Sequence, residues 1–194
     1  MNSSSSRLVF AGVLSFCCLF AFADPLMPSG GDDYQAIVDA ITAAGTGGTV
    51  ELGEGTFRIS QSLEISTAVT IKGAGMDKTV ITPTKTGFRG FYLKNKSIEV
   101  SDLAVSGFTG KGEYSYYGVG MRVNGGVIRR CHITRNKNGS LYASGTGVYI
   151  ENANGKIYDS IVDFNSVAAN NDMDGAGINV TLKDPTPATS FAID

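Results

Sequence analysis

A glycine-led apolar segment recurs at nearly constant spacing along the chain. Gly90-Phe91-Tyr92-Leu93 returns as Gly118-Val119-Gly120-Met121, then Gly147-Val148-Tyr149-Ile150, then Gly177-Ile178-Asn179-Val180, at offsets of 28, 29 and 30 residues. A second track keeps step with the first three copies: Val100-x-Asp102-Leu103-x-Val105, Ile128-x-Arg130-Cys131-x-Ile133 and Ile157-x-Asp159-Ser160-x-Val162. Within each track the apolar residues alternate, which is the period of a strand with one buried face. A unit this short cannot bury that face alone, and strand-only units that stack on their neighbours make a β-solenoid. The spacing therefore predicts a column of Phe91, Val119, Val148 and Ile178, with rungs about 4.8 Å apart. Leu93, Met121, Ile150 and Val180 form a second column, and Val100, Ile128 and Ile157 a third. Each buried member is worth roughly 1.5 to 3 kcal/mol. The same alignment runs Lys94, Arg122, Glu151 and Thr181 along the outer surface, with an Arg122–Glu151 ion pair between rungs worth roughly 0.2 to 1 kcal/mol.

Strict alternation fails inside the second track, because Val100 and Leu103 are both apolar and three apart. A one-residue corner at Asp102, Arg130 and Asp159, with Gly73 as the matching residue upstream, reconciles the two. Arg130 fits a left-handed corner least well. Asn136 and Asn165 end the second track in two copies and suit a hydrogen-bonded ladder along the axis. Upstream, Leu63 and Ile65 precede Phe91 and Leu93 by 28 residues, so the period already holds there. Residues 32–44 carry Tyr34, Ile37, Val38, Ile41 and Ala44 at helical spacing, with Asp32 or Asp33 to cap the start and Gly45 to end it. A helix there covers the open strand edges of the first rung.

With the run Asp33-Tyr34-Gln35-Ala36-Ile37-Val38-Asp39-Ala40-Ile41 followed by Gly48-Thr49-Val50-Glu51-Leu52-Gly53-Glu54-Gly55-Thr56-Phe57, the chain resembles the right-handed parallel β-helix proteins of the pectin-lyase-like superfamily. The resemblance implies an all-β fold, a right-handed parallel β-helix with an N-terminal capping α-helix. It is specific for fold and not for activity. The Trp-x-Asp-His segment of pectate lyases has no counterpart, since the chain has no Trp and its one His, His132, stands at an outward position. The Asn-Thr-Asp, Asp-Asp and Gly-His-Gly segments of the glycoside hydrolases are absent too. Gly73 to Ile81 resembles a segment of pectin methylesterases, but their Gln-Asp pair and Asp-Phe-Ile-Phe-Gly segment are missing, and Ile161 to Asn165 is only superficially like the latter. Catalytic residues are accordingly left unassigned, no cofactor and no metal site are expected, and His132 lies in phase only with Ala104 and Ile161.

Residues 1–23 read as a secretory signal: Arg7 in a polar start, an apolar run from Leu8 to Phe22, and Ala21-Phe22-Ala23 as a cleavage site. The rival is a lipoprotein anchor at Cys17 or Cys18, although Phe16 and Cys17 are not the small residues expected before such a cysteine. Residues 24–194 then form one β-helix domain, and the absence of a cap after Lys183 suggests further rungs or a partner at that end. The formal charge of −2 with no basic stripe argues against nucleic acid, and no segment has the length and apolarity of a membrane span. Cys131 would be the one cysteine left after cleavage, inward-facing and inert.

Three long loops, 108–117, 136–146 and 165–176, share one phase of the repeat and so one side of the solenoid. They carry Tyr114, Tyr116, Tyr117 and Tyr142, with Asp172 and Asp174 beyond. A row of tyrosines among polar residues on a rigid scaffold suits stacking on sugar rings, while the same rings could instead pack down on the barrel wall. The Asp172 and Asp174 carboxylates are the type that general acid/base hydrolysis requires, and equally ordinary in a solvated turn. These six residues are the candidate substrate-binding set, with polysaccharide or cell-surface glycan as partner. The domain is expected to be secreted, periplasmic or at the cell surface. The alternative is an exported, adhesin-like stalk without catalytic activity.

Overall fold

The computed structural model describes residues 24–110, 116–139, 143–144, 146–151, 155–167, 177–181 and 192–193. Three stacks of short strands form the walls of a parallel β-helix. The first face holds Leu63–Ile65, Phe91–Leu93, Met121–Val123, Val148–Glu151 and Ile178–Thr181 in that spatial order. The second holds Thr49–Glu51, Thr70–Lys72, Glu99–Ser101, Gly126–Arg129, Gly155–Tyr158 and Ala192–Ile193. The third holds Gly55–Ile59, Thr79–Pro83, Ala104–Ser106, His132–Thr134 and Ile161–Asp163. Every pairing in all three is parallel, as it must be when each lap of chain returns to the same face in the same direction.

Parallel register places like residues over one another inside. Val50, Ile71, Val100, Ile128 and Ile157 are consecutive register partners on the second face, as the period predicts, and all are buried. Phe57, Ile81, Val105 and Ile133 form the matching column on the third face, with no exposure at all. On the first face the column is Leu63, Phe91, Met121, Val148 and Ile178. This corrects the expected alignment by two residues: Phe91 stands against Met121 instead of Val119, and Leu93 against Val123 instead of Met121. The segment 118–120 contains two glycines, and Gly120, not Gly118, is the repeat's glycine. Gly90, Gly120, Gly147 and Gly177 follow one another up the wall, each of the first three facing the carbonyl of the next at 2.5 to 2.8 Å from where a Cβ would sit. Because the slip is two residues, inward and outward faces keep their identity.

The corners fall where the broken alternation requires. Asp102, Arg130 and Asp159 have φ of 58°, 48° and 49°. Gly73 is a correction, since it is absent from the left-handed set; a Cβ there would lie 2.3 Å from the Asp102 carbonyl, so close approach demands the glycine. A second file of left-handed corners, Gly107 (φ 81°), Arg135 (φ 56°) and Phe164 (φ 49°), separates the third face from the strands Thr109–Gly110, Lys137–Asn138 and Ser166–Val167. No pattern of residue type announced it. The first file is stapled by charge: the Arg130 guanidinium donates from Nε and Nη2 to the two Asp102 carboxylate oxygens at 2.6 and 2.8 Å.

Beyond the second file stands the expected asparagine ladder. Asn136 Oδ1 accepts the Phe108 N–H at 3.0 Å, and its Nδ2 donates to the Val105 carbonyl at 3.2 Å. Asn165 repeats the pattern one rung on, accepting the Asn136 N–H at 3.0 Å and donating to Ile133 O at 2.9 Å. These bonds satisfy backbone groups that the corner removes from the sheets, with Asn136 buried and Asn165 half-buried. Cys131 is buried as expected, its thiol pushed up to about 12 by loss of hydration. The helix, Tyr34–Ala44, lies at the opening rungs and buries Ile37. The N-cap position is Asp33, whose side chain makes no capping bond, and Asp32 just before it accepts the Tyr34 N–H at 3.1 Å. Asp33 does something else: its buried carboxylate accepts from Ser29 N and Oγ and from Arg58 N, tying the lead-in segment to the third face.

Three outcomes follow. Asn136→Ala strands the Phe108 N–H and Val105 carbonyl in the wall and should lower stability by about 1 to 3 kcal/mol in urea unfolding. Cys131 should resist a thiol reagent in the folded protein and react once denatured, since only the thiolate attacks. The hydrogen bonds and charge of Arg130 hold the Asp102 carboxyl below its ordinary 3.8, so its contribution is complete above that pH and disappears as pH falls through the lower folded value. Asp102→Asn should therefore be less stable than the parent at neutral pH, and should lose less on acidification when thermal unfolding is followed against pH.

Candidate functional site

The outward residues of the first face stack as strictly as the inward ones. Glu64, Tyr92, Arg122, Tyr149 and Asn179 are successive register partners, one per rung. Strand alternation sends them outward because Phe91 and Leu93, Met121 and Val123, and Val148 and Ile150 are claimed by the core. Tyr92 is the centre of the group. Arg122 stands over its ring with the guanidinium carbon 4.7 Å from the centroid, Lys94 Nζ lies at 5.0 Å and the Arg89 guanidinium at 5.5 Å. Each lies within the range of a cation–π contact.

Two carboxylates hold the cations in place. Lys94 Nζ meets Glu64 Oε2 at 2.6 Å. Arg122 donates from Nε to Glu151 Oε2 at 3.0 Å, and its Nη2 bonds the same oxygen. The expected Arg122–Glu151 pair thus forms, but diagonally: the register partner of Arg122 is Tyr149, and Glu151 faces Thr181. Glu151 is buried, so water screens this pair less than a surface pair.

Beside this strip lies an open groove of about 480 Å³. Its walls are Tyr34 of the helix, the Ser60-Gln61-Ser62 segment, Glu64, and Lys85 to Phe88 of the next rung. Glu64 belongs to both groove and strip. The surroundings fix the groove's shape: Asp32 accepts the Ser60 N–H at 3.2 Å, and Ser62 Oγ accepts the Arg89 N–H at 3.3 Å. Phe88 packs edge-on against Phe108, centroids 5.7 Å apart at 83°. Lys94 pairs with Glu64 and Arg122 with Glu151, and the Asp32 carboxyl is held below the usual range by Ser60, with help from nearby Lys85.

Of the six residues expected to bind substrate, Tyr114, Tyr142, Asp172 and Asp174 lie outside the described residues. Tyr116–Tyr117 is described as a strand, paired in parallel with Ala143–Ser144. It feeds through Gly118-Val119-Gly120 into Met121–Val123, so its backbone enters the same face that carries Arg122. Tyr92 and Arg89 were missed. The signal that finds Tyr92 is the outward phase of the first track, in which Tyr92 and Tyr149 hold the same place in their copies and Arg122 stands between them.

His132 is outward, flanked in register by Ala104 and Ile161 as expected. It does have a partner one rung on: its Nε2 lies 2.8 Å from Asp163 Oδ1. The hydroxyl of Thr134, then His132, hold the Asp163 carboxyl below the usual range. This pair stands on the third face, apart from the Tyr92 strip. Among the described residues no set of three His, Cys, Asp or Glu side chains gathers as a metal site, and no helix is long and apolar enough to cross a membrane.

No family model and no curated protein matches the chain. Among solved structures it is similar to the A-module of the mannuronan C-5 epimerase AlgE4 of Azotobacter vinelandii, at 21% identity and a TM-score of 0.47, over 82% of this chain and 52% of that one. The chain thus spans about half the length of that module. Its own strand pairing makes it a parallel β-helix, the architecture of the pectin-lyase-like proteins.

Proposed function

We propose that this is a secreted β-helix domain that binds polysaccharide across the outer surface of its first face, and that a longer chain containing it processes the same polymer. The observation that carries the reading is Tyr92 with Arg89, Lys94 and Arg122 gathered over its ring. An aromatic ring offers a flat apolar surface to the C–H face of a sugar, and guanidinium and ammonium groups beside it attract carboxylates. The repeat of strands about 4.8 Å apart lays such groups along a line, which suits a linear polymer better than a compact ligand. The cationic groups around Tyr92 favour an acidic polymer over a neutral one.

Tyr114, Tyr116, Tyr117, Tyr142, Asp172 and Asp174 are further candidates for contact with the same polymer. Glycan binding, with its salt dependence, is the direct test. The chain should retain polygalacturonate or alginate more strongly than xylan in affinity electrophoresis, and added salt should weaken the retention. Tyr92→Ala should weaken it about tenfold or more with the fold retained by circular dichroism, at some cost in thermal stability from the lost cation–π contacts. Wild-type retention by Tyr92→Ala removes the reading, and no retention by the parent leaves the exported stalk as the better account.

A further inference from the structure

We infer that the groove between the helix and the 85–88 segment is an end subsite, which takes the terminal sugar of a chain laid across the first face. It rests on the binding reading above and adds a direction and a stop to it. Leu63–Ile65 is the outermost strand of its sheet, and beyond it lies the helix, whose Val38, Ile41 and Thr42 share a recess with residues 63–67. Tyr149 is buried, so a polymer that follows Arg122 and Tyr92 from rung to rung reaches Glu64 and then the helix. At that point the surface becomes concave.

The groove differs chemically from the strip that leads to it. Glu64 and Lys85 supply one charge of each sign, and Ser60, Gln61 and Ser62 add hydroxyl and amide groups that both donate and accept. That set matches the hydroxyls of a sugar ring more closely than its carboxylate, while Tyr34 and Phe88 offer apolar surface to the ring face. A volume of about 480 Å³ lies within the range of small-ligand sites. The walls are set in advance, since Ser60 is bonded to Asp32 just before the helix and Phe88 is braced by Phe108, so little ordering cost falls on the ligand. Glu64 joins the two regions, bridging to Lys94 on one side and lining the groove on the other.

Calorimetric titration of the full chain with oligogalacturonides and oligoalginates of graded length decides the matter. An end subsite predicts one protein bound per oligosaccharide however long it is, and about tenfold weaker binding by the Gln61→Ala, Lys85→Ala double variant. Both side chains are exposed, so thermal unfolding should not move. A stoichiometry that rises with ligand length, or parental affinity in the groove variant while Tyr92→Ala loses binding, overturns the end subsite and leaves the strip intact. Parental affinity in Tyr92→Ala instead strikes the binding reading, and the end subsite falls with it.

Discussion

The structure depends on one constraint: a side chain that leaves the first rung inward must meet, one lap later, another apolar side chain in the same phase. Parallel strands impose this because each residue's register partner sits one rung on, about 4.8 Å away, with its Cβ on the same side of the sheet. Val50, Ile71, Val100, Ile128 and Ile157 satisfy it on one face, and Phe57, Ile81, Val105 and Ile133 on another. The interior is then filled by columns, and everything that is not a column is a corner or a surface. Corners are costly, since each takes backbone groups out of the sheets. The protein meets the cost with left-handed residues and with Asn136 and Asn165, whose amides bond the strands of neighbouring rungs.

The same rule governs the outside. Once Phe91 and Leu93 are inside, Tyr92 has no choice but to face out, and the register places Glu64 and Arg122 on either side of it. The cationic strip is therefore a by-product of core packing in its placement, while its composition is free to vary. The groove completes the surface where the regular lattice ends and the helix begins.

Much of this was legible in the sequence and some was not. Columns led by Val100, Ile128 and Ile157 were readable because the corner residue fixes their phase. The first face was read two residues out of register, since Gly118 and Gly120 both fit the repeat and only the approach of neighbouring carbonyls tells them apart. Arg130 as a left-handed corner looked unfavourable by residue type, and the chelate to Asp102 compensates for it. Phe164 as a left-handed corner carries no sequence signal at all. The site was harder still: tyrosine-rich loops drew attention to Tyr114 and Tyr142, whereas the cluster around Tyr92 is assembled from Arg89, Lys94 and Arg122, on two different rungs, and only the register brings them together.

The stacking itself is open to one direct measurement. Thr49, Thr70, Glu99, Val127 and Lys156 are successive partners on the second face, so Thr49 and Lys156 are exposed residues four rungs apart. Electron–electron distance measurement between spin labels at these two positions should give one narrow distribution with a backbone separation of about 19 Å, four inter-strand steps. Native Cys131 can remain in place, as its thiol is buried. A broad distribution, or a narrow one far from that separation, would contradict the lap-by-lap stacking on which fold, strip and groove all rest.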